Sequence, residues 1–226
     1  MKNVIITGSS RGIGFELIKI FNKNNFNVIA LSRNQKPISD LNLKNVKSYH
    51  LDISSPESIA ETLGILCKDI KKVDILINNA GTLINKPFKD TLYKDFESIY
   101  KVNVFGVAEL IRQLLPYFVK KSHVINISSI GGIGGSSKFP GLSAYSSSKG
   151  ALNILTEMLA EEFKEIEICF NALALGAVQT EMLEEAFPGY KANTSASEMA
   201  NFIYKFSLEG NAFFNGKIIP VSTTNP

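Results

Sequence analysis

Short runs of aliphatic and β-branched residues recur along the chain at Val4–Thr7, Asn27–Leu31, Val46–Leu51, Val73–Ile77, His123–Ile127, Glu167–Ala172 and Lys217–Ile219. Between them, apolar residues return every three or four positions, as at Ile13, Leu17, Ile20 and Phe21, and again at Leu152, Leu155, Leu159 and Phe163. The short runs suit strands, and the longer period suits amphipathic helices. Strands alternating with helices build βαβ units and hence a parallel sheet. Several runs are apolar at every position, as a sheet covered on both faces requires. Ser54-Ser55-Pro56-Glu57 and Ser195-Ala196-Ser197-Glu198 read as capping boxes that start helices. The pattern predicts an α/β fold with a doubly wound parallel sheet and helices on both faces.

Length and composition sharpen this picture only a little. The 226 residues contain no internal repeat and no linker-like break, so one domain over residues 1–226 is expected. Hydrophobic residues at 45% and charged residues at 20% exclude a disordered chain. A net charge of +3 with scattered Lys and Arg gives no reason to expect a nucleic acid or an anionic membrane as partner. Cys67 and Cys169 lack C-x-x-C or Cys/His spacing, which predicts buried, reduced thiols in a cytoplasmic protein and no metal site. Val4-Ile5-Ile6 is too short for the core of a signal peptide, and no later stretch has the length of a membrane span, so a soluble chain is expected.

Candidate chemistry gathers at strand ends. The first strand runs into Thr7-Gly8-Ser9-Ser10-Arg11-Gly12-Ile13-Gly14, where glycines permit a tight turn and the next helix points unpaired N–H groups at its occupant. That combination suits a dinucleotide pyrophosphate. The fourth strand ends in Asn78-Asn79-Ala80-Gly81, which is either a plain turn or part of the ligand crevice beside the first strand. Asp52, after the third strand, is a helix N-cap or an adenine contact. Ser128-Ser129 closes the fifth strand, and Tyr145-x-x-x-Lys149 opens the following helix on the same edge. Residues four apart on a helix share a face, about 5–6 Å apart at Cβ, so the phenol and the ammonium can serve one task.

Thr-Gly-x-x-x-Gly-x-Gly at 7–14, Asn-Asn-Ala-Gly at 78–81, Asn103, Ser129 and Tyr145-x-x-x-Lys149, in that order, resemble the short-chain dehydrogenase/reductase family from Lys2 to about Ile219. The resemblance implies a seven-stranded Rossmann sheet, a nicotinamide cofactor and reversible hydride transfer between an alcohol and a carbonyl. It implies that Tyr145 is the general acid of carbonyl reduction and the base of the reverse reaction, with Lys149 favouring its phenolate. By the same resemblance Lys149 holds the nicotinamide ribose, Ser129 donates to the substrate oxygen, and Asn103 positions a water linking Lys149 to solvent. The cofactor contacts implied are Gly8, Ser10, Arg11, Gly12, Ile13, Gly14, Ser32, Arg33, Asp52, Ile53, Asn79, Ala80, Gly81, Tyr145, Lys149 and Thr180. For Thr180, a helix cap is the competing reading.

Ser32 stands where NAD-preferring relatives place an acid, with Arg33 beside it and Arg11 in the glycine loop. Two guanidiniums converging on one pocket suit a 2′-phosphate, so NADP(H) is expected over NAD(H). The expected partner is a small carbonyl or alcohol substrate, and the expected assembly is a homodimer or homotetramer with Leu152, Leu155, Met158 and Leu159 near the contact. A cofactor-sensing protein without turnover is the alternative, but such proteins often lose the Tyr or the Lys. The chain departs from the family in a longer loop at 130–144, where Phe139 and Leu142 border the substrate side, in Leu175-Gly176, in a short segment after Thr180, and in the C-terminal stretch Pro220–Pro226.

Overall fold

Val4, Ile5 and Ile6 are fully buried in strand β1 (Asn3–Thr7), with Val4 and Ile6 facing one apolar core and Ile5 the other. That two-sided burial explains why the strand is apolar at each of these positions. The structure, a computed structural model, describes residues 1–223, and the last three residues of the divergent stretch Pro220–Pro226 lie outside the described residues. After β1 come α1 (Gly12–Lys23), β2 (Asn27–Ser32), the single turn α2 (Lys36–Ser39), β3 (Val46–His50), α3 (Pro56–Asp69) and β4 (Val73–Asn78). They are followed by α4 (Tyr93–Tyr100), a π-helical turn at Lys101–Phe105, α5 (Gly106–Leu114), β5 (Phe118–Ser129) and α6 (Ser143–Glu162). The chain ends through β6 (Cys169–Leu175), β7 (Val178–Gln179), α7 (Glu181–Ala186), β8 (Thr194–Ser195), α8 (Ala196–Glu209) and β9 (Lys217–Val221).

Seven parallel strands form one sheet in the order β3-β2-β1-β4-β5-β6-β9, and β7 pairs with β8 in a separate ribbon. β1 lies between β2 and β4, with Ile5 opposite both Ile29 and Leu76, so the strand order reverses there and a crevice opens at the carboxyl ends. One face of the sheet is covered by α3, α5 and α6 through Ile59, Leu63, Leu110, Leu114 and Leu152. The other is covered by α1 and α8 through Leu17, Ile18, Phe21, Met199 and Ile203. Among the described residues no helix is long and apolar enough to cross a membrane.

Several local expectations need correcting. β5 starts at Phe118 rather than His123, its first residues exposed, and β6 starts at Cys169 because Glu167 adopts left-handed backbone (φ 57°), which a strand cannot continue. Ser55 does cap α3, accepting from the Ser58 N–H at 3.1 Å, but Glu57 bonds the Ser55 hydroxyl, so no capping box forms. The box at Ser195 and Glu198 does form. Cys67 and Cys169 are free but only half-buried. Of the four apolar residues expected at a subunit contact, Leu152 is in the core and Leu155 and Leu159 pack against it, while Met158 remains exposed.

Asn103 sits in the π turn rather than in regular α-helix, and Gly106 follows it directly. A Cβ on Gly106 would stand 1.9 Å from the Ile53 carbonyl oxygen. Only glycine lets α5 approach the segment after β3 that closely.

Candidate active site

The turn after β1 is fastened from three directions. The Asn79 amide donates to the carbonyls of Thr7 and Gly8 at 3.1 and 3.0 Å, the Ala80 N–H donates to the Thr7 hydroxyl at 3.0 Å, and the Ser9 hydroxyl donates to the Leu31 carbonyl at 3.1 Å. Gly8 has φ 66°, and a Cβ there would lie 2.7 Å from the Ala80 Cα. Asn-Asn-Ala-Gly is therefore more than a turn, since its second residue locks the glycine loop to β4. This spends the Asn79 side-chain NH2, and the Asn79 backbone N–H donates to the Ile77 carbonyl at 3.1 Å, leaving its oxygens to meet a ligand. Thr7 is part of the motif, but the sequence gives no sign of the role of Ser9, because a hydroxyl next to glycine carries no signal of what it will bond.

The loop fits a dinucleotide pyrophosphate. Arg11, at the N-cap of α1, supplies no side-chain cap, and the first turn of α1 contains no acid. The leading N–H groups of α1 are thus left for an anion, with no acid in the helix's own first turn to repel it. Ser10 and Ile13 flank this end of the helix, both partly exposed.

Tyr145 and Lys149 lie in the first two turns of α6, facing the end of β5. The Tyr145 phenol neighbours the Ser129 side chain, whose hydroxyl oxygen accepts from the Gly131 N–H at 3.3 Å. Ser128 points elsewhere, donating to the Lys149 carbonyl at 3.3 Å. Lys149 is buried, its ammonium donating to the Ile127 carbonyl at 2.7 Å and lying 5.8 Å from the centre of the Tyr145 ring. Burial pushes the Lys149 ammonium down to about 8. Burial also raises the phenol above its ordinary value, only partly opposed by the neighbouring Ser129 hydroxyl. The net shift is away from the expected phenolate, because desolvation is the largest influence on Tyr145.

Asn103 is fully buried. Its amide donates to the Thr82 carbonyl and the Ser148 hydroxyl, each at 3.0 Å, and its oxygen accepts from the Thr82 N–H at 2.9 Å. Both hydrogens of the Asn103 amide are thus engaged, while its oxygen keeps a second lone pair. Its oxygen lies 3.5 Å, and the Lys149 ammonium 3.6 Å, from where a Cβ on Gly81 would stand, so all three meet in one spot.

At the outer edge of the crevice, Ser32 is buried and donates to the Asn34 carbonyl at 2.8 Å, while Arg33 is exposed. Asp52 accepts from the N–H and hydroxyl of Ser54 at 3.0 and 2.7 Å, so the N-cap reading for it fails. Those Ser54 hydrogen bonds, helped by the charge of Arg33, hold its carboxyl below the ordinary carboxylate range. Ile53, next to it, is in the core. Arg11 is already engaged by another anion. Its guanidinium makes a two-pronged ion pair with Glu185 of α7, the second bond being 3.1 Å. The pairing joins residues 174 positions apart, beyond the reach of any spacing argument. Thr180 caps α7, accepting from the Leu183 N–H at 3.3 Å, and its methyl group lies 3.4 Å from where a Cβ on Gly12 would stand. The helix-cap reading is met, and the same residue borders the glycine loop.

The longer loop borders an open cavity of about 660 Å³ lined by Phe88, Ile133, Phe139, Pro140 and Leu142, so the two residues expected on the substrate side, Phe139 and Leu142, share one depression. The Lys86 N–H donates to the Gly141 carbonyl at 2.9 Å and ties the loop to the segment after β4.

The short chain dehydrogenase family model matches residues 2–191. The NADPH-dependent 1-acyldihydroxyacetone phosphate reductase of Saccharomyces cerevisiae is 33% identical over 190 residues, covering 81% of this chain and 63% of the reductase. The chain spans about three-fifths of the length of several curated relatives. Among solved structures, 4-hydroxyisoleucine dehydrogenase complexed with NADH superposes with a TM-score of 0.86 at 26% identity, covering 98% of this chain and 97% of that one. The RhlG/NADP active-site complex of Pseudomonas aeruginosa gives the same score and identity, covering 98% and 94%.

Proposed function

Since this chain belongs to the short-chain dehydrogenase/reductase family, we propose that it transfers a hydride between NADP(H) and the carbonyl or secondary alcohol of a small molecule, with Tyr145 as general acid and base. The observation that carries this reading is the Tyr145 phenol, beside the Ser129 hydroxyl and backed by the buried Lys149 ammonium, on the same sheet edge as the glycine loop. When bound, the nicotinamide supplies or accepts the hydride. The N-terminus of α1 would hold the pyrophosphate, Lys149 the nicotinamide ribose, and Arg33 the 2′-phosphate.

Because burial keeps the phenol protonated at neutral pH, Tyr145 stands ready to donate its proton to an oxygen that gains negative charge. Ser129 orients that phenol and offers a second hydroxyl to the same oxygen. Lys149, brought to about 8, carries a proton at neutral pH and can give it up at little cost. NADP(H) over NAD(H) is supported by a β2 end that carries Ser32 in place of an acid, with Arg33 exposed beside it. A homo-oligomer is supported by Phe105, Ile154 and Met158, each at least 58% exposed on the neighbouring π turn and α6.

The test is turnover of NADPH with ketones, aldehydes, quinones and 3-oxoacyl thioesters. Tyr145→Phe should lower turnover on the best of these by roughly 10²–10⁴ while leaving cofactor affinity nearly intact. Full turnover in that variant would remove Tyr145 from the chemistry.

A further inference from the structure

The Arg11–Glu185 pair joins the cofactor loop to α7, and it occupies a guanidinium with the right chemistry for a phosphate. A second tie holds the same helix: the Asn85 amide donates to the Ala186 carbonyl at 2.9 Å. α7 is thus clasped at its last turn to the glycine loop and to the segment after β4. Glu181 and Glu185 both act on Arg11 electrostatically, and Glu185 is the one that bonds it. Arg33, by contrast, has no ion pair among the described residues, and its charge acts on Asp52.

We propose that Glu185 is a specificity-determining residue, whose carboxylate competes with the 2′-phosphate of the cofactor for Arg11. The inference rests on the NADP(H) reading above. A dianionic phosphate near Arg11 offers the same bidentate acceptor geometry as the carboxylate, with more charge. Arg11 then exchanges one anion for the other, and the clasp on α7 loosens as the phosphate seats. A cofactor without the phosphate leaves the clasp intact. Glu185 therefore narrows the preference for NADP(H) that Arg11 and Arg33 create. The pair is largely exposed, with side chains 48% and 62% accessible, so its effect is modest and weakened by salt.

The test uses fragments that differ only in the phosphate, 2′,5′-ADP and 5′-AMP, titrated calorimetrically at low salt into the full chain and into Glu185→Gln, Arg11→Ala, Arg33→Ala and the Arg11→Ala/Glu185→Gln double variant. Glu185→Gln should tighten 2′,5′-ADP by about three- to tenfold and leave 5′-AMP within about twofold, and this gain should vanish in the double variant and in high salt. If Arg11→Ala weakens 2′,5′-ADP but Glu185→Gln leaves it unchanged, the competition is overturned while the NADP(H) reading stands. A gain that persists without Arg11 overturns it as well, since Glu185 would then act by direct repulsion. If neither Arg11→Ala nor Arg33→Ala changes the ratio of the two fragments, the NADP(H) reading itself fails, and the competition with it.

Discussion

The Lys149 ammonium lies 5.8 Å from the centre of the Tyr145 ring and donates to the Ile127 carbonyl at 2.7 Å, with no carboxylate bonded to it among the described residues. Burial without a counter-charge lowers it to about 8, so its proton leaves as the pH rises through that value. The charged form is the better donor to ribose hydroxyls. Dinucleotide affinity should therefore be level below about pH 7 and fall across pH 7–9. Lys149→Met should bind on the order of tenfold more weakly and lose this dependence. Fluorescence titrations across that range check both; an unchanged pH profile in the variant would assign the titration to another group.

Gly106 is set against the Ile53 carbonyl, where a Cβ would come within 1.9 Å. Ala is the better helix former by about 1 kcal/mol, so propensity alone argues that Gly106→Ala stabilises. Overpacking against backbone costs about 1–3 kcal/mol, and we expect it to win. Thermal unfolding should show a net drop in Tm, together with weaker cofactor binding as the π turn and Asn103 shift. A rise in Tm would mean that α5 can move away from Ile53 freely.

His123 is buried, its ring bonded to the Ser207 carbonyl and the Asn171 amide, and burial pushes it down to about 4. Unfolded, it titrates near 6.5. Above that pH neither state binds the proton, and stability is unaffected. As the pH falls from 6.5 to 4 the unfolded chain takes up a proton that the native chain refuses, so stability is progressively lost. The loss should reach about 2 kcal/mol between pH 7 and pH 5. Urea unfolding of the parent and of His123→Asn at the two values checks this; the variant, whatever its absolute stability, should lose less on acidification.

Phe105, Ile154 and Met158 present an apolar surface on the π turn and the outer face of α6. Light scattering at micromolar concentration should find a dimer or tetramer, and Met158→Glu should shift it toward monomer. A parent chain that is monomeric throughout this range would overturn the assembly reading.

Much of the site could be read from the chain because its signals are local. The helical spacing of Tyr145 and Lys149 follows from four residues of separation, and the glycine loop from a strand running into a helix. Their meeting at one sheet edge follows from parallel strands that all end on the same side. Strand ends were less legible: β6 begins late because one residue, Glu167, takes left-handed backbone, which nothing in its neighbours announces.

The sequence by itself determined the period of each element, and with it the doubly wound sheet, the crevice and the order of chemical groups along its rim. Tertiary structure alone decided what each of those groups bonds and how far it is desolvated. Arg11 is held by Glu185, which α7 brings to it from far along the chain. Asn103 has both amide hydrogens engaged by Thr82 and Ser148. Burial raises the Tyr145 phenol although a cation stands over its ring. Backbone periodicity is set by neighbours a few bonds away, whereas desolvation and ion pairing depend on atoms brought close by folding, from segments that can lie anywhere in the chain.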